Sequence, residues 1–264
     1  MKYFYLLSIC LLTFNKISAT HIIGGSMSYS YTGNDTYTIR LEVLRDCASA
    51  GASFDNPASI GIFDKDGKLF KQLFVTIGAV EVLTDDPANI CPFPPNICVE
   101  RTFYQTSVTL PAIEGGYTIA YQRCCRSNVI VNLENPSENG MTFHTHINTD
   151  LHNSGPAFIE KLPYAVYINT PFVFNATGLE PDGDSLAYAL TSPFYGGDLT
   201  NIQPRPPAPP PYVQGAYKSP YSVENIMGGE YPLTINPLTG VMTSIPQTTG
   251  FFQIAYSVKE YRGG

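Results

Sequence analysis

Apolar and polar residues alternate with a period of two along much of this chain. Met27, Tyr29 and Tyr31 are separated by serines, Gly33-Asn34-Asp35 makes a turn, and Tyr37, Ile39, Leu41 and Val43 alternate after it. A period of two puts successive apolar side chains on one face of a strand, so this stretch reads as a hairpin with one buried face. Ile60 and Ile62 open a further strand. Asp64-Lys65-Asp66-Gly67 is the hairpin turn after it, with Gly67 suited to positive φ. Residues 103–110, the Tyr117/Ile119/Tyr121 alternation, residues 129–133 and residues 141–148 read as the remaining strands of this half. Roughly seven short strands at such spacing fit an antiparallel sandwich.

Asn153-Ser154-Gly155-Pro156 breaks the pattern and reads as a domain boundary. Beyond it, residues 164–169, 171–175, 186–190, 233–235 and 241–245 read as short strands. Phe252, Ile254, Tyr256 and Val258 line a last one that closes on Glu260. The pattern predicts an all-β protein of two tandem antiparallel β-sandwich domains, residues 20–154 and 155–264, the second immunoglobulin-like. Between them in character is an irregular stretch, 191–230, holding the proline run of residues 204–212. Prolines at that density favour extended polyproline II and exclude a ladder strand. In an exported chain the run is expected to be a stiff loop packed on its own domain rather than a ligand for aromatic-groove readers.

Composition supports the strand reading. The chain of 264 residues has 22 Gly, 22 Pro, 18 Tyr and 15 Phe, and outside the N-terminus no long window shows helical periodicity. A net charge of −7 leaves neither a basic footprint for nucleic acid nor a polybasic patch for anionic membrane. Residues 1–19 read as a secretory signal: Lys2, an apolar run over 3–14 too short to span a bilayer, and a polar exit ending on Ala19. Leu7-Ser8-Ile9-Cys10 faintly resembles a lipid-attachment box, with few residues before it. No segment after Thr20 reads as transmembrane.

Export makes the cysteines candidate staples. Beyond Cys10 they are Cys47, Cys91, Cys98, Cys124 and Cys125, an odd number that leaves one thiol over. Cys91 and Cys98 flank a Pro-rich loop and are placed to close it. Adjacent Cys124 and Cys125 would face opposite ways on a strand and would not pair with each other.

Three clusters could carry chemistry. Glu180, Asp182 and Asp184 alternate through a Pro/Gly turn, which brings their oxygens within reach of one cation. Ca²⁺ takes six to eight oxygens, so carbonyls, water and a distant residue must complete such a site. Asp64 and Asp66 form a smaller acidic turn, for which the turn alone is a sufficient account. His144 and His146 share a strand face, with Asp150 and His152 nearby in sequence, a spacing that could place two imidazoles on one metal. Phe143 and Ile147 on the other face are the natural core residues, which puts the histidines on the wet side. Signatures of serine hydrolases, zinc proteases and phosphate loops are absent, so the chain is expected to be non-catalytic. The alternatives are a carbohydrate-binding module stacking sugars on Tyr29, Tyr31, Tyr117 and Tyr121, and a metal-dependent hydrolase using the histidines.

Two resemblances add to this. Glu180-Pro-Asp182-Gly-Asp184-Ser-Leu186, Leu233-Thr-Ile235-Asn-Pro-Leu-Thr-Gly240, Ile245-Pro246 and Gly250-Phe251 with the closing strand are similar to a bacterial cadherin-like (immunoglobulin-like) module over residues 156–260. In such modules an acid on the last strand often completes a Ca²⁺ site, and Glu260 matches that position. The mature chain resembles exported Bacteroidota surface proteins of the gliding-motility-associated or PKD-domain type. The resemblance lies in Thr20-His-Ile-Ile-Gly-Gly25, Leu44-Arg-Asp-Cys47, Phe54-Asp-Asn-Pro-Ala-Ser-Ile60, Asn96-Ile-Cys-Val-Glu100, Gly116-Tyr-Thr-Ile-Ala-Tyr-Gln-Arg-Cys-Cys-Arg126 and the proline run. It implies a secreted, cell-surface or adhesion protein meeting surface proteins or glycans. The chain lacks cysteines after Cys125 and a C-terminal sorting domain, which suggests a fragment or a short member of that group.

Overall fold

The computed structural model describes residues 22–48, 53–83, 98–158, 163, 165–197 and 200–263. The expected signal segment, Cys10 and Cys91 lie outside the described residues. The fold is all-β, as the alternation predicts. In the first half β1 (Ile22–Gly33), β2 (Thr36–Asp46), β5 (Val80–Leu83) and β6 (Val99–Thr109) form one antiparallel sheet in the order β1-β2-β6-β5. The second sheet has the order β4-β3-β7-β8, from β3 (Ala58–Phe63), β4 (Leu69–Val75), β7 (Tyr117–Arg123) and β8 (Met141–Ile147). Ile39 and Leu41 from the first sheet meet Ile60, Ile62, Ile119 and Tyr121 from the second in one core. Each of these side chains removes roughly 1.5–3 kcal/mol worth of apolar surface from water.

The second half has a smaller core of Phe174, Ala176, Ile226, Met227, Leu233 and Met242. Its strands are short: β9 (Ala157–Phe158), β10 (Phe172–Asn175), β11 (Gly178–Leu179), β12 (Ser185–Leu190), β13 (Thr234–Ile235), β14 (Val241–Ser244) and β15 (Tyr256–Tyr261). They pair as β10-β14-β13, β11-β9 and β12-β15. Residues 165–169 are not the expected strand, with a turn at 168–169, and Phe252 and Ile254 precede the last strand instead of opening it.

Residues 129–133 are also not a strand. Backbone pairing there is reduced to single bridges, Ile130 with Phe251 and Leu133 with Tyr217, reinforced by the side chain of the fully buried Asn132. Its Nδ2 donates to the carbonyls of Ile226 and Gln253, and its Oδ1 accepts from the Gln253 amide. Val129 and Val131, whose alternation suggested a buried face, point to solvent at 48% and 36% exposure.

The proline run does not pack on its own half. It lies across the outer face of the first half's second sheet, and β3 is consequently buried at all six positions. That face is built from small residues under the run: a Cβ on Gly61 would meet the Phe63 ring at 2.6 Å and Pro207 at 3.4 Å. Polar anchors fix the run at both ends. Asp55 accepts from Arg205 of the run (2.9 Å) and from Gln203 just before it (3.3 Å), and beneath the run it accepts from Tyr121 (2.8 Å) and forms an ion pair with Arg123 (2.5 Å). Farther along, the Ala208 amide donates to Gln122 Oε1 at 2.8 Å, and the Tyr212 ring lies 5.0 Å from that of His144. A flat outer face with an anionic anchor was a better partner for the run than its own small core.

The cysteine pairing also differs from expectation. Cys98 bonds Cys47, not Cys91. The β2–β6 register, ending at Asp46 opposite Val99, carries the two cysteines to a Cα separation of 5.0 Å. Cys124 and Cys125 pair with each other. The opposite-face argument required a strand through both, but β7 stops at Arg123 and the peptide between them is cis.

Candidate functional site

The turn at residues 180–184 is held in shape by its own first acid: Glu180 Oε2 accepts the Asp184 amide at 2.7 Å, and Gly183 takes a φ of 83° that favours glycine. β12 leaves the turn and pairs antiparallel with β15, Ser185 opposite Tyr261 and Leu186 opposite Glu260. That register brings Glu260 beside the turn from a distance of about eighty residues. One carboxylate oxygen each from Glu180, Asp184 and Glu260 then lies within 4.8 Å of the others, the one such group of His, Cys, Asp and Glu among the described residues.

The acids differ in how they are satisfied. Asp184, with a side chain only 6% exposed, is paired through both oxygens with the Arg262 guanidinium at 2.9–3.3 Å. Arg262 also donates to the Leu151 carbonyl at 3.0 Å and to Asn153 Oδ1. Glu260 Oε2 accepts from Asn153 Nδ2 (3.2 Å) and Tyr29 O–H (3.5 Å). The second oxygens, Glu180 Oε1 and Glu260 Oε1, are buried with no hydrogen-bond partner. Burial pushes the Glu260 carboxyl up, with the charges of Glu180 and Asp184 adding to this and the Asn153 hydrogen bond opposing it. Asp182 is not part of the converging group. It is exposed and caps the boundary segment, accepting the Ser154 amide at 2.6 Å. Four carboxylates against one guanidinium leave a formal local charge of −3 (Glu180, Asp182, Asp184 and Glu260 against Arg262).

The group sits at the junction of the two halves, because Tyr29 belongs to β1 and Asn153 and Ser154 to the boundary. From the sequence Tyr29 stands out as a functional residue only for sugar stacking, Asn153 only as part of the boundary, and Arg262 is not singled out. Only the β12–β15 register could have flagged Arg262, which follows the strand just where Asp184 precedes its partner.

The other sequence candidates fall differently. His144 and His146 do share the outer face of β8, opposite Ala120 and Thr118. His144 packs its ring 5.1 Å from Phe194, and His146 Nδ1 lies 3.3 Å from Thr118 Oγ1. Burial lowers the pKa of each, with the neighbouring His146 charge adding to the effect on His144. His152 points elsewhere, to Asp35 at 3.3 Å, so the histidines and Asp150 do not converge. In the other acidic turn Asp64 Oδ1 is consumed by the amides of Asp66 and Lys68 at 3.0 and 2.9 Å. Tyr29, Tyr117 and Tyr121 are core residues, 6%, 1% and 1% exposed, and Tyr31 packs against them, so they present no face for a sugar. Among the described residues no helix is long and apolar enough to cross a membrane.

No family model, curated protein or solved structure matches the chain.

Proposed function

We propose that this protein is a non-catalytic module of an exported surface or adhesion protein, with a structural Ca²⁺ site at the junction of its two halves. The observation that carries the reading is the convergence of Glu180, Asp184 and Glu260, of which Glu180 and Glu260 each keep a buried oxygen with no partner. Buried anionic oxygens without a donor are costly, and a hard divalent cation is the partner that satisfies several at once. All donors here are oxygens, which favours Ca²⁺ over the N- and S-bound transition metals. Glu180, Asp184 and Glu260 would ligate, while Tyr29, Asn153 and Arg262 hold the acids and tie them to the first half. Binding would therefore fix how the halves meet. The resemblance to gliding-motility-associated and cadherin-like surface proteins supports the extracellular setting, where free Ca²⁺ is high enough to fill a site of modest affinity.

The test is thermal unfolding of the full chain in chelator and in millimolar Ca²⁺. Occupancy at a hundredfold the dissociation constant stabilises by about 2.7 kcal/mol. For a chain of this size that is a rise of about 5–10 °C. Superimposable melting curves would defeat the proposal.

A further inference from the structure

Two disulfides are present, and chain entropy treats them differently. Cys47–Cys98 closes a loop with a sequence separation of 51 and so restricts the unfolded chain. Cys124–Cys125 has a separation of 1 and closes no segment. Its effect must be local. It stands between two arginines, and both are buried: Arg123 at 4% exposure and Arg126 at 2%. Arg123 belongs to β7 and is positioned by the ladder, opposite Met141. Arg126 lies beyond the strand, directly after the bonded cysteine pair, with its amide donating to the Asn139 carbonyl at 3.3 Å.

Arg126 is an unusual group to bury. Its Nη1 donates to the Gly140 carbonyl and its Nη2 to the Phe194 carbonyl at 2.8 Å, while Nε has no partner. No carboxylate pairs with it among the described residues. Desolvation lowers its pKa to about 10, against a smaller opposing effect of Tyr195 and Tyr217. A guanidinium held only by carbonyls stays buried when its backbone is fixed in the right direction, because water would otherwise compete for it. The segment it holds is itself lightly built. The Tyr195 and Gly215 amides donate to the Val213 and Pro193 carbonyls at 2.8 and 2.6 Å, and Thr142 donates to the Phe194 and Tyr195 carbonyls. Cys124 is partly exposed, while Cys125 is buried at 5%. An external thiolate therefore has access to one sulfur of the pair.

We propose that the Cys124–Cys125 bond is a thiol-sensitive catch that aims Arg126 at the Gly140 and Phe194 carbonyls and so holds the segment around the Phe194–Gln214 bridge onto the first half. Opening it is ordinary exchange. A thiolate attacks the Cys124 sulfur, the S–S bond breaks, and the Cys125 thiolate leaves and takes a proton from water. A second thiol resolves the mixed disulfide, giving two cysteine thiols and one external disulfide, so two thiols supply the two electrons. Arg126 then loses its fixed approach and the segment opens, while the core sandwich and Cys47–Cys98 persist. The inference is independent of the cation site.

The experiment is a titration of the full chain with a small-molecule dithiol, with alkylation mapped by mass spectrometry and amide hydrogen exchange followed in parallel. Cys124 and Cys125 should become alkylated at lower dithiol concentration than Cys47 and Cys98. At that point exchange at the Tyr195 and Gly215 amides should rise about tenfold, with the β3 and β7 amides unchanged. A Cys124→Ser/Cys125→Ser variant should show the faster exchange without dithiol, and Arg126→Met should make exchange there indifferent to dithiol. Three results would overturn the catch: earlier opening of Cys47–Cys98, free Cys124 and Cys125 thiols in the untreated protein, or unchanged Tyr195 and Gly215 exchange once the vicinal bond is shown open. If the variants do not fold, the titration of the unaltered chain still decides.

Discussion

The two acidic turns of this molecule look alike in sequence and differ in what their carboxylates do. At Asp64-Lys65-Asp66-Gly67 the leading acid is spent on its own backbone, bonding the amides of Asp66 and Lys68. At residues 180–184 Glu180 likewise spends one oxygen on its own backbone, but its other oxygen is buried without a donor. The larger difference is tertiary. The first turn meets a distant acid only through its lysine, Lys65 pairing with Glu114 at 2.9 Å, whereas the second receives Glu260 beside its own acids from a strand paired with its own. Acidic residues in a turn become a site when a distant strand closes the coordination sphere, and remain a turn when none does.

The comparison can be broken most directly by Glu180→Gln combined with Glu260→Gln. This pair removes two of the three converging carboxylates, and the Ca²⁺-dependent rise of about 5–10 °C should vanish while Asp64→Asn leaves it intact. A rise that survives the double substitution would put the ion elsewhere.

Next in size is Arg262→Ala. It leaves Asp184 unpaired and unties Leu151 and Asn153 from the last strand, so melting in chelator should fall by several degrees. The Ca²⁺-induced rise should grow, because the local negative charge is larger. Calorimetry in both conditions checks the two signs, and a smaller Ca²⁺ response would show that Arg262 helps ligation rather than competing with it.

Glu260→Gln alone should raise the melting temperature in chelator by a few degrees. Glu260 has a folded pKa raised above its unfolded value, so the folded state binds the proton more tightly. Stability from this group is greatest below the unfolded carboxyl range and is lost as pH rises through the raised folded value. Removing the charge restores that loss. The same sign makes Ca²⁺ affinity fall as pH drops through the folded Glu260 pKa, since ligation needs the ionised form. Isothermal titration across that window measures it, and a flat affinity would contradict the assignment of Glu260 as a ligand. The smallest effect belongs to Asp64→Asn, which keeps an acceptor at the turn and should cost at most about 1 kcal/mol in urea unfolding.

The strands of the first sandwich were legible because one sheet face of each is buried, and alternation records that directly: Tyr37, Ile39, Leu41 and Val43 are all buried. Alternation misled at residues 129–133, where Val129 and Val131 are exposed and the Asn132 and Leu133 that follow them are buried. It also failed for the proline run, since periodicity carries no information about which surface an irregular segment will cover. The disulfide at Cys47 and Cys98 followed from the β2–β6 register, and that register was not readable from cysteine spacing.

For the candidate site, Glu180, Asp182 and Asp184 are a local property of the chain: their spacing through a Pro/Gly turn is enough to gather acids. By itself the sequence also determined the all-β class, through its period of two. Tertiary structure decided the rest. Pairing of β12 with β15 delivered Glu260 and Arg262, while contact with β1 and the boundary segment drew Asp182 away to the Ser154 amide and supplied Tyr29 and Asn153. The physical reason is that backbone conformation sets neighbours a few residues apart, whereas strand register and sheet packing choose among partners separated by a hundred.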